Sequence, residues 1–334
     1  MDEMETGLSA RDGVPTLRVA YQDILNMGDQ LTPLIVGRCF GYKVVNVPVC
    51  EATLTGVGSY LWRLKERATG PRLHVWGTGF IKRNSALPLP TADIEYHAVR
   101  GELSKRRIEE SLGRRLDIPT GDPGILASRL FDRPIPKSYR LGIVPHFRER
   151  DDPAFAQLCK LSDRSVIIDP TGRPLDVIRQ IASCELVLSS SFHGLVVADA
   201  FGIPNLHVKV SDRPRGDGFK FEDYYSSFGV DHPFVDLGRE RIERPDVIVE
   251  RCAVTREAVL RKQEELLRCF PYPKVGERTE ADLRMEMDVR WERPEEKKPC
   301  RLRRYAKRLV KFVLKRLHLH GHDGEKDRQR EGLK

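Results

Sequence analysis

The chain has 334 residues, of which 40% are hydrophobic and 32% charged, enough apolar material for about two domains and too much for a disordered or fibrous protein. No stretch approaches the roughly 18 apolar residues of a membrane-spanning helix, and the acidic start Met1-Asp2-Glu3-Met4-Glu5 is unlike a signal peptide, so a cytoplasmic protein is expected. The net charge of +8 is concentrated at one end: residues 297–334 hold 14 Lys/Arg against four Asp/Glu, and the rest of the chain is nearly neutral.

In chain order, residues 17–21, 43–47, 53–57, 73–76 and 94–99 are predicted strands, interleaved with helical stretches at 31–38 and 104–112. The pair Pro134 and Pro136 marks a domain boundary. Beyond it, strands are expected at 139–144, 166–168, 186–189 and 203–208, and helices at 153–161, 174–182 and 193–201. Strands alternating with helices imply right-handed crossovers and parallel sheets. A long helix is predicted over 246–268, packing through Ile248, Val249, Val259 and Leu266, and residues 292–299 read as a linker. The expected fold class is therefore α/β, two Rossmann-like domains facing a cleft, with a C-terminal helical extension. Its parts are an acceptor-side domain over 1–133, a donor-side domain over 134–245, a helix and return segment over 246–291, and a linker with a basic tail over 292–334. The seven cysteines lie in no CxxC pair, so disulfide and zinc readings are set aside and no metal is expected.

In open α/β sheets, ligands bind at loops beyond the carboxyl ends of strands. Four such loops stand out. In Asn26-Met27-Gly28-Asp29, the glycine permits close approach and the aspartate suits a helix cap or a base. Trp76-Gly77-Thr78-Gly79-Phe80 lacks the third glycine of a dinucleotide fingerprint and reads as a cleft-lining turn. In Pro145-His146-Phe147-Arg148, the arginine can fork to a carboxylate or phosphate. The sharpest signal is Ser189-Ser190-Ser191-Phe192-His193-Gly194, where hydroxyls end a strand and a helix start offers free N–H groups to an anion. His193 is the candidate general acid, given a pKa near neutrality, and Gly194 is expected to let a ligand approach. Downstream, Arg213, Arg215 and Lys220 lie on and beside a glycine-bearing loop suited to closing over an anion.

Ser190-Ser191-Phe192-His193-Gly194-Leu195, Gly202-Ile203-Pro204 and residues 220–229, together with Asn26-Met27-Gly28-Asp29, Val99-Arg100-Gly101-Glu102 and Gly121-Asp122-Pro123, resemble the polysaccharide pyruvyl transferases. The resemblance spans roughly residues 18–240 and is nearest to bacterial members of exopolysaccharide synthesis. It implies a GT-B-like pair of Rossmann halves and transfer of pyruvate from phosphoenolpyruvate, as donor substrate and without a cofactor, to sugar hydroxyls as a ketal. His193 matches the histidine of the family's Arg-(apolar)-His-Gly motif, while Ser191 stands where many members have arginine. Arg213, Arg215 or Lys220 is then expected to replace that cation. Asp29 is the candidate base, with Arg148, Ser190, Ser191, Gly194, Asn26 and Gly28 lining the substrates. Two alternatives stand beside this reading: a GT-B glycosyltransferase using a nucleotide sugar, and a non-catalytic subunit of a polysaccharide assembly complex. In residues 301–317, Leu302, Tyr305, Leu309, Phe312, Val313 and Leu317 make one apolar face among cations. Such a basic amphipathic helix suits an anionic membrane surface, where a lipid-linked acceptor would be found; no nucleic-acid partner is expected.

Overall fold

The short apolar runs assemble into two sheets in a computed structural model, which describes residues 8–11, 13–67, 69–88 and 93–292, with side chains from 13 to 288. The first sheet contains β1 (Leu8–Arg11), β2 (Val14–Val19), β3 (Lys43–Asn46), β4 (Leu54–Thr55), β5 (Leu73–Trp76) and β6 (Ile94–Ala98). Its order is β1-β2-β4-β5-β6, with β3 also on β2. Only β1 runs antiparallel to its partner; the other pairings are parallel. The second sheet contains β7 (Tyr139–Val144), β8 (Ser165–Ile167), β9 (Cys184–Ser189), β10 (Asn205–Lys209) and β11 (Phe234–Asp236). It is wholly parallel in the order β11-β10-β9-β7-β8. The α/β class expected from the alternation is the class observed.

Helix α1 (Leu31–Phe40) lies in a crossover, α2 (Glu102–Leu112) follows the last strand of the first sheet, and α3 (Pro153–Cys159), α4 (Pro174–Ala182) and α5 (Phe192–Ala200) lie in crossovers. They are followed by α6 (Phe219–Ser226), α7 (Val247–Arg251), α8 (Arg256–Arg268) and α9 (Glu280–Glu292). Helix α5 reads Phe-His-Gly-Leu-Val-Val-Ala-Asp-Ala and is buried at every position but His193. A helix apolar on all sides belongs inside, and α5 packs in a core that also holds Leu17 and Trp76 of the first sheet, Val144 and Val187 of the second, and Val259 and Leu266 of α8. All strands of the first sheet precede the Pro134–Pro136 segment and all strands of the second follow it, yet this core is continuous across both.

Several expectations need correction. The helix predicted over 246–268 is two helices, because Thr255 caps α8 by accepting a hydrogen bond from the Ala258 N–H at 3.2 Å. Ile248, Val259 and Leu266 are buried as expected, whereas Val249 is 53% exposed. Strands β1 and β11 and helix α9 were not anticipated. Cys39, Cys159, Cys184, Cys252 and Cys269 are free thiols, but Cys50 is disulfide-bonded, which departs from the reading that set disulfides aside. The expected tail helix over 301–317 lies outside the described residues. Among the described residues, no helix is long and apolar enough to cross a membrane.

Candidate active site

His193 occupies the first turn of α5, directly beyond the carboxyl end of β9. Its ring lies against two glycines from loops of the first sheet. A Cβ on Gly28 would overlap the imidazole, Nδ1 first, and a Cβ on Gly58 would stand 3.6 Å from Cε1. The close approach at Gly28 is therefore by the histidine itself. The 3-10 turn Met27–Gln30 holds Asp29, whose Oδ2 accepts from Asn26 Nδ2 at 2.6 Å. His193 is thus brought against the loop of Asn26, Gly28 and Asp29, more than 160 residues away in sequence.

Beneath His193 lies Asp122, fully buried. It caps the 3-10 helix Pro123–Leu130 by accepting from the Gly124 N–H at 2.9 Å, and its second oxygen accepts from the Gly58 N–H at 3.3 Å. That second oxygen stands 4.0 Å from His193 Nε2, a buried nitrogen with no hydrogen-bond partner. Burial raises the Asp122 carboxyl to about 6 against its two N–H donors and the Arg100 charge. Burial, with the charges of Lys220 and Arg100, pushes His193 down to about 3. The near-neutral pKa anticipated for a general acid is thus not that of the free site: His193 is neutral at pH 7 until an anion binds beside it.

Arg100 ends the strand-like run after β6 and is completely buried. Its guanidinium donates to Asp223 at 2.9 Å, Ser59 Oγ at 2.6 Å, the Gly58 carbonyl at 3.4 Å and the Phe80 carbonyl at 2.5 Å. Asp223, in α6, also accepts from the Ser104 N–H and hydroxyl, each at 2.7 Å. Gly101 is required here because a Cβ would overlap the Asp223 carbonyl. In the same turn, the Thr78 hydroxyl donates to the Gly58 carbonyl at 2.9 Å, so the 76–80 loop lines the cleft as expected. Arg100 spends its donors on the protein and positions the loops rather than offering itself to a ligand.

Lys220 is different. Among the described residues it makes no hydrogen bond or ion pair, and its ammonium lies 5.1 Å over the Phe221 ring. Burial and the Arg100 charge lower it to about 8, opposed by Asp29 and Glu149. Its charge also reaches His193 and His146. Glu149 is buried, with one oxygen accepting from Ser211 Oγ at 2.6 Å and the other without a partner. His146 is driven to about 3 by burial and by the charges of Lys220 and Arg148. An ammonium without a partner among the described residues, near neutral imidazoles and a helix start lacking a side-chain cap, has the chemistry to hold an anion.

The serines divide by role. Ser189 Oγ donates to the Val144 carbonyl at 2.9 Å, and Ser190 Oγ accepts from the His146 N–H at 2.8 Å, so both stitch β9 to β7. Ser191 is the N-cap of α5, and its side chain makes no capping bond. Gly194 packs on the strand ends: a Cβ there would overlap Ser189 Oγ and press on Val144. Arg213 is exposed and ion-paired with Asp152, Arg215 is exposed, and Arg148 is exposed with its guanidinium 5.7 Å over Phe147 and its charge felt at His146. Of the cations expected to replace the arginine absent at Ser191, Lys220 is the one whose charge acts on His193. Sequence reasoning assigned no role to Arg100, Asp122, Asp223, His146 or Glu149; Arg100 and Asp122 lay within quoted motifs, at strand-end and helix-start positions that could have pointed to them.

The cleft, its helix start and its unpaired lysine lie in or beside the segment that matches the model of the polysaccharide pyruvyl transferases, residues 26–212, more than half the chain. The chain belongs to the polysaccharide pyruvyl transferase family. It is 28% identical over 212 residues to the uncharacterized protein L143 of Acanthamoeba polyphaga mimivirus, covering 62% of this chain and 72% of that one. It is 30% identical over 182 residues to the succinoglycan biosynthesis protein ExoV of Rhizobium meliloti (strain 1021), covering 54% of this chain and 55% of that one. The match thus spans about half the length of the rhizobial relative. As a pyruvyl transferase family member the chain falls among transferases, and the family model includes every cleft residue named above except Lys220 and Asp223.

Proposed function

We propose that this protein transfers pyruvate from phosphoenolpyruvate to two hydroxyls of a saccharide, forming a cyclic ketal and releasing phosphate, and that it serves assembly of an extracellular or cell-surface polysaccharide. The observation that carries the reading is Lys220, a half-buried lysine without an ion-pair partner among the described residues, whose charge acts on His193 at the start of α5. Phosphoenolpyruvate brings a phosphate and a carboxylate, and binding it would relieve that unpaired charge. The two sheets then stand as the halves of a GT-B-like enzyme, with the donor held by the second.

Binding the donor anion favours the imidazolium form of His193, which gives its proton to the methylene carbon as the enol double bond breaks. The electron-poor carbon that results is attacked by one sugar hydroxyl, whose proton passes to a base; Asp29, from the opposite sheet, is the base this reading assigns. The carbon–oxygen bond to phosphate then breaks, and a second hydroxyl closes the ring. The protons balance: the two hydroxyls lose two, the methylene carbon gains one, and the other leaves with phosphate. Asp122 positions His193 and resists its drift from the cleft. The test is release of phosphate from phosphoenolpyruvate by the purified chain with a saccharide acceptor, read beside consumption of UDP- or GDP-sugars. Turnover of a nucleotide sugar and none of phosphoenolpyruvate would overturn the proposal. The basic segment 301–317 supports peripheral attachment to an anionic membrane, near a lipid-linked acceptor.

A further inference from the structure

On the first sheet, outside the cleft, three side chains converge that the transfer reaction does not use. His74 lies in β5, Glu95 and His97 in β6. His74 Nδ1 and His97 Nε2 are 2.8 Å apart. The Glu95 carboxylate straddles both rings, with one oxygen 3.7 Å from His74 Nδ1 and the other 3.6 Å from His97 Nε2. One ligand atom from each residue lies within 4.8 Å of the other two.

The ladder explains the convergence. His74 is in register with Glu95, and the pairing then slips, so that Val75 faces Tyr96 but Trp76 faces Ala98. His97 is the extra residue of that irregularity. A bulge re-aims a side chain and is commonly found beside functional sites; here it turns an imidazole toward the neighbouring strand. Two imidazoles and a carboxylate on one sheet face make a borderline-soft N₂O set, the kind that takes zinc and its neighbours rather than calcium or magnesium. The rings are about one-fifth exposed, which leaves an open side for a water ligand. Arg72 lies 3.7 Å from the same carboxylate, but its nearer partner is Asp93, at 3.2 Å. Tyr272 meets the His74 ring edge-on at 5.3 Å and donates to the Thr53 carbonyl at 3.2 Å, closing another side.

We propose that His74, Glu95 and His97 form a binding site for one divalent transition-metal cation of the zinc type, joining β5 to the edge strand β6. The site stands apart from the anion cleft and does not depend on the pyruvyl-transfer reading. The test uses the full chain, stripped with a chelator and titrated with Zn²⁺ by calorimetry and with Co²⁺ by visible absorption. Binding of one ion per chain is expected, with an intense tetrahedral Co²⁺ spectrum lacking a sulfur charge-transfer band. His74→Gln and His97→Gln should each weaken binding by roughly 100-fold, as loss of one of three protein ligands requires. Because the wild-type spectrum itself reports the ligand set, the proposal does not hang on either variant folding. Absence of stoichiometric binding, a thiolate band, or equal binding by a folded His74→Gln/His97→Gln variant would overturn it.

Discussion

In the proposed reaction His193 and Lys220 have different tasks, and each makes a separate prediction. His193→Ala should lower kcat by about 100-fold or more if the residue moves the proton, and His193→Gln should be similarly slow because it keeps polarity without a transferable proton. Phosphate release from phosphoenolpyruvate checks this, and near-wild-type turnover in both variants would reduce His193 to a packing residue. Lys220 is charged below its pKa of about 8 and neutral above it, so affinity for a donor anion should fall as pH rises through that value. Lys220→Arg, always charged, should carry the descending limb of kcat/KM to higher pH. A limb that stays in place would assign the titration to another group. Arg148→Ala, by contrast, removes an exposed cation and should raise donor KM only modestly, as the same phosphate-release assay would show. A sequence reports that Arg148, Arg213 and Arg215 are cations near strand ends, but not which way each points.

At the scale of elements, the Arg100–Asp223 pair ties the loop after β6 to α6. Both side chains are wholly buried, so Arg100→Met or Asp223→Ala would strand one unpaired charge and should cost about 3–5 kcal/mol, measured by urea denaturation. Arg100→Lys should rescue little, since three donors on a flexible stem cannot serve four separated acceptors. Nothing local announces this pair, because its members are more than a hundred residues apart and each looks like an ordinary surface charge. The elements themselves were far more legible. Strand β7, helix α4 and strand β5 were placed within their observed bounds, since continuous apolar runs and amphipathic stretches bounded by turn residues leave few choices. The helix over 246–268 was overextended because Thr255 can sit inside a helix or cap one, and only the fold decides between them. Helix α9 escaped because its residues, Glu-Ala-Asp-Leu-Arg-Met-Glu-Met-Asp-Val-Arg-Trp-Glu, alternate charge with apolar groups without a clear helical stripe.

At the scale of the whole molecule, charge is segregated: a nearly neutral body carries one strongly basic end. Truncation after Glu296 should abolish flotation with anionic liposomes while leaving phosphoenolpyruvate turnover on a soluble acceptor intact. Flotation that survives truncation would move the membrane-seeking surface onto the body. The continuous core around α5 also makes both sheets depend on one another, so chemical unfolding of residues 1–295 should be a single transition at both sheets. Two separated transitions would show halves that fold alone.

The vacancy at position 28, where the His193 ring lies, ties two distant positions into a single inherited choice. Gly28→Ala alone forces a methyl group into the imidazole, whereas the same change after His193→Ala loses the ring overlap and keeps only the close approach of the Cβ at 193, 2.8 Å away. The penalty of a mutation at 28 should therefore depend on the residue at 193, severe in one background and milder in the other. A lineage that gives up the histidine becomes free to lose the glycine, and it cannot regain the first without restoring the second. Relatives that have abandoned this chemistry should be recognisable by drift at both positions together.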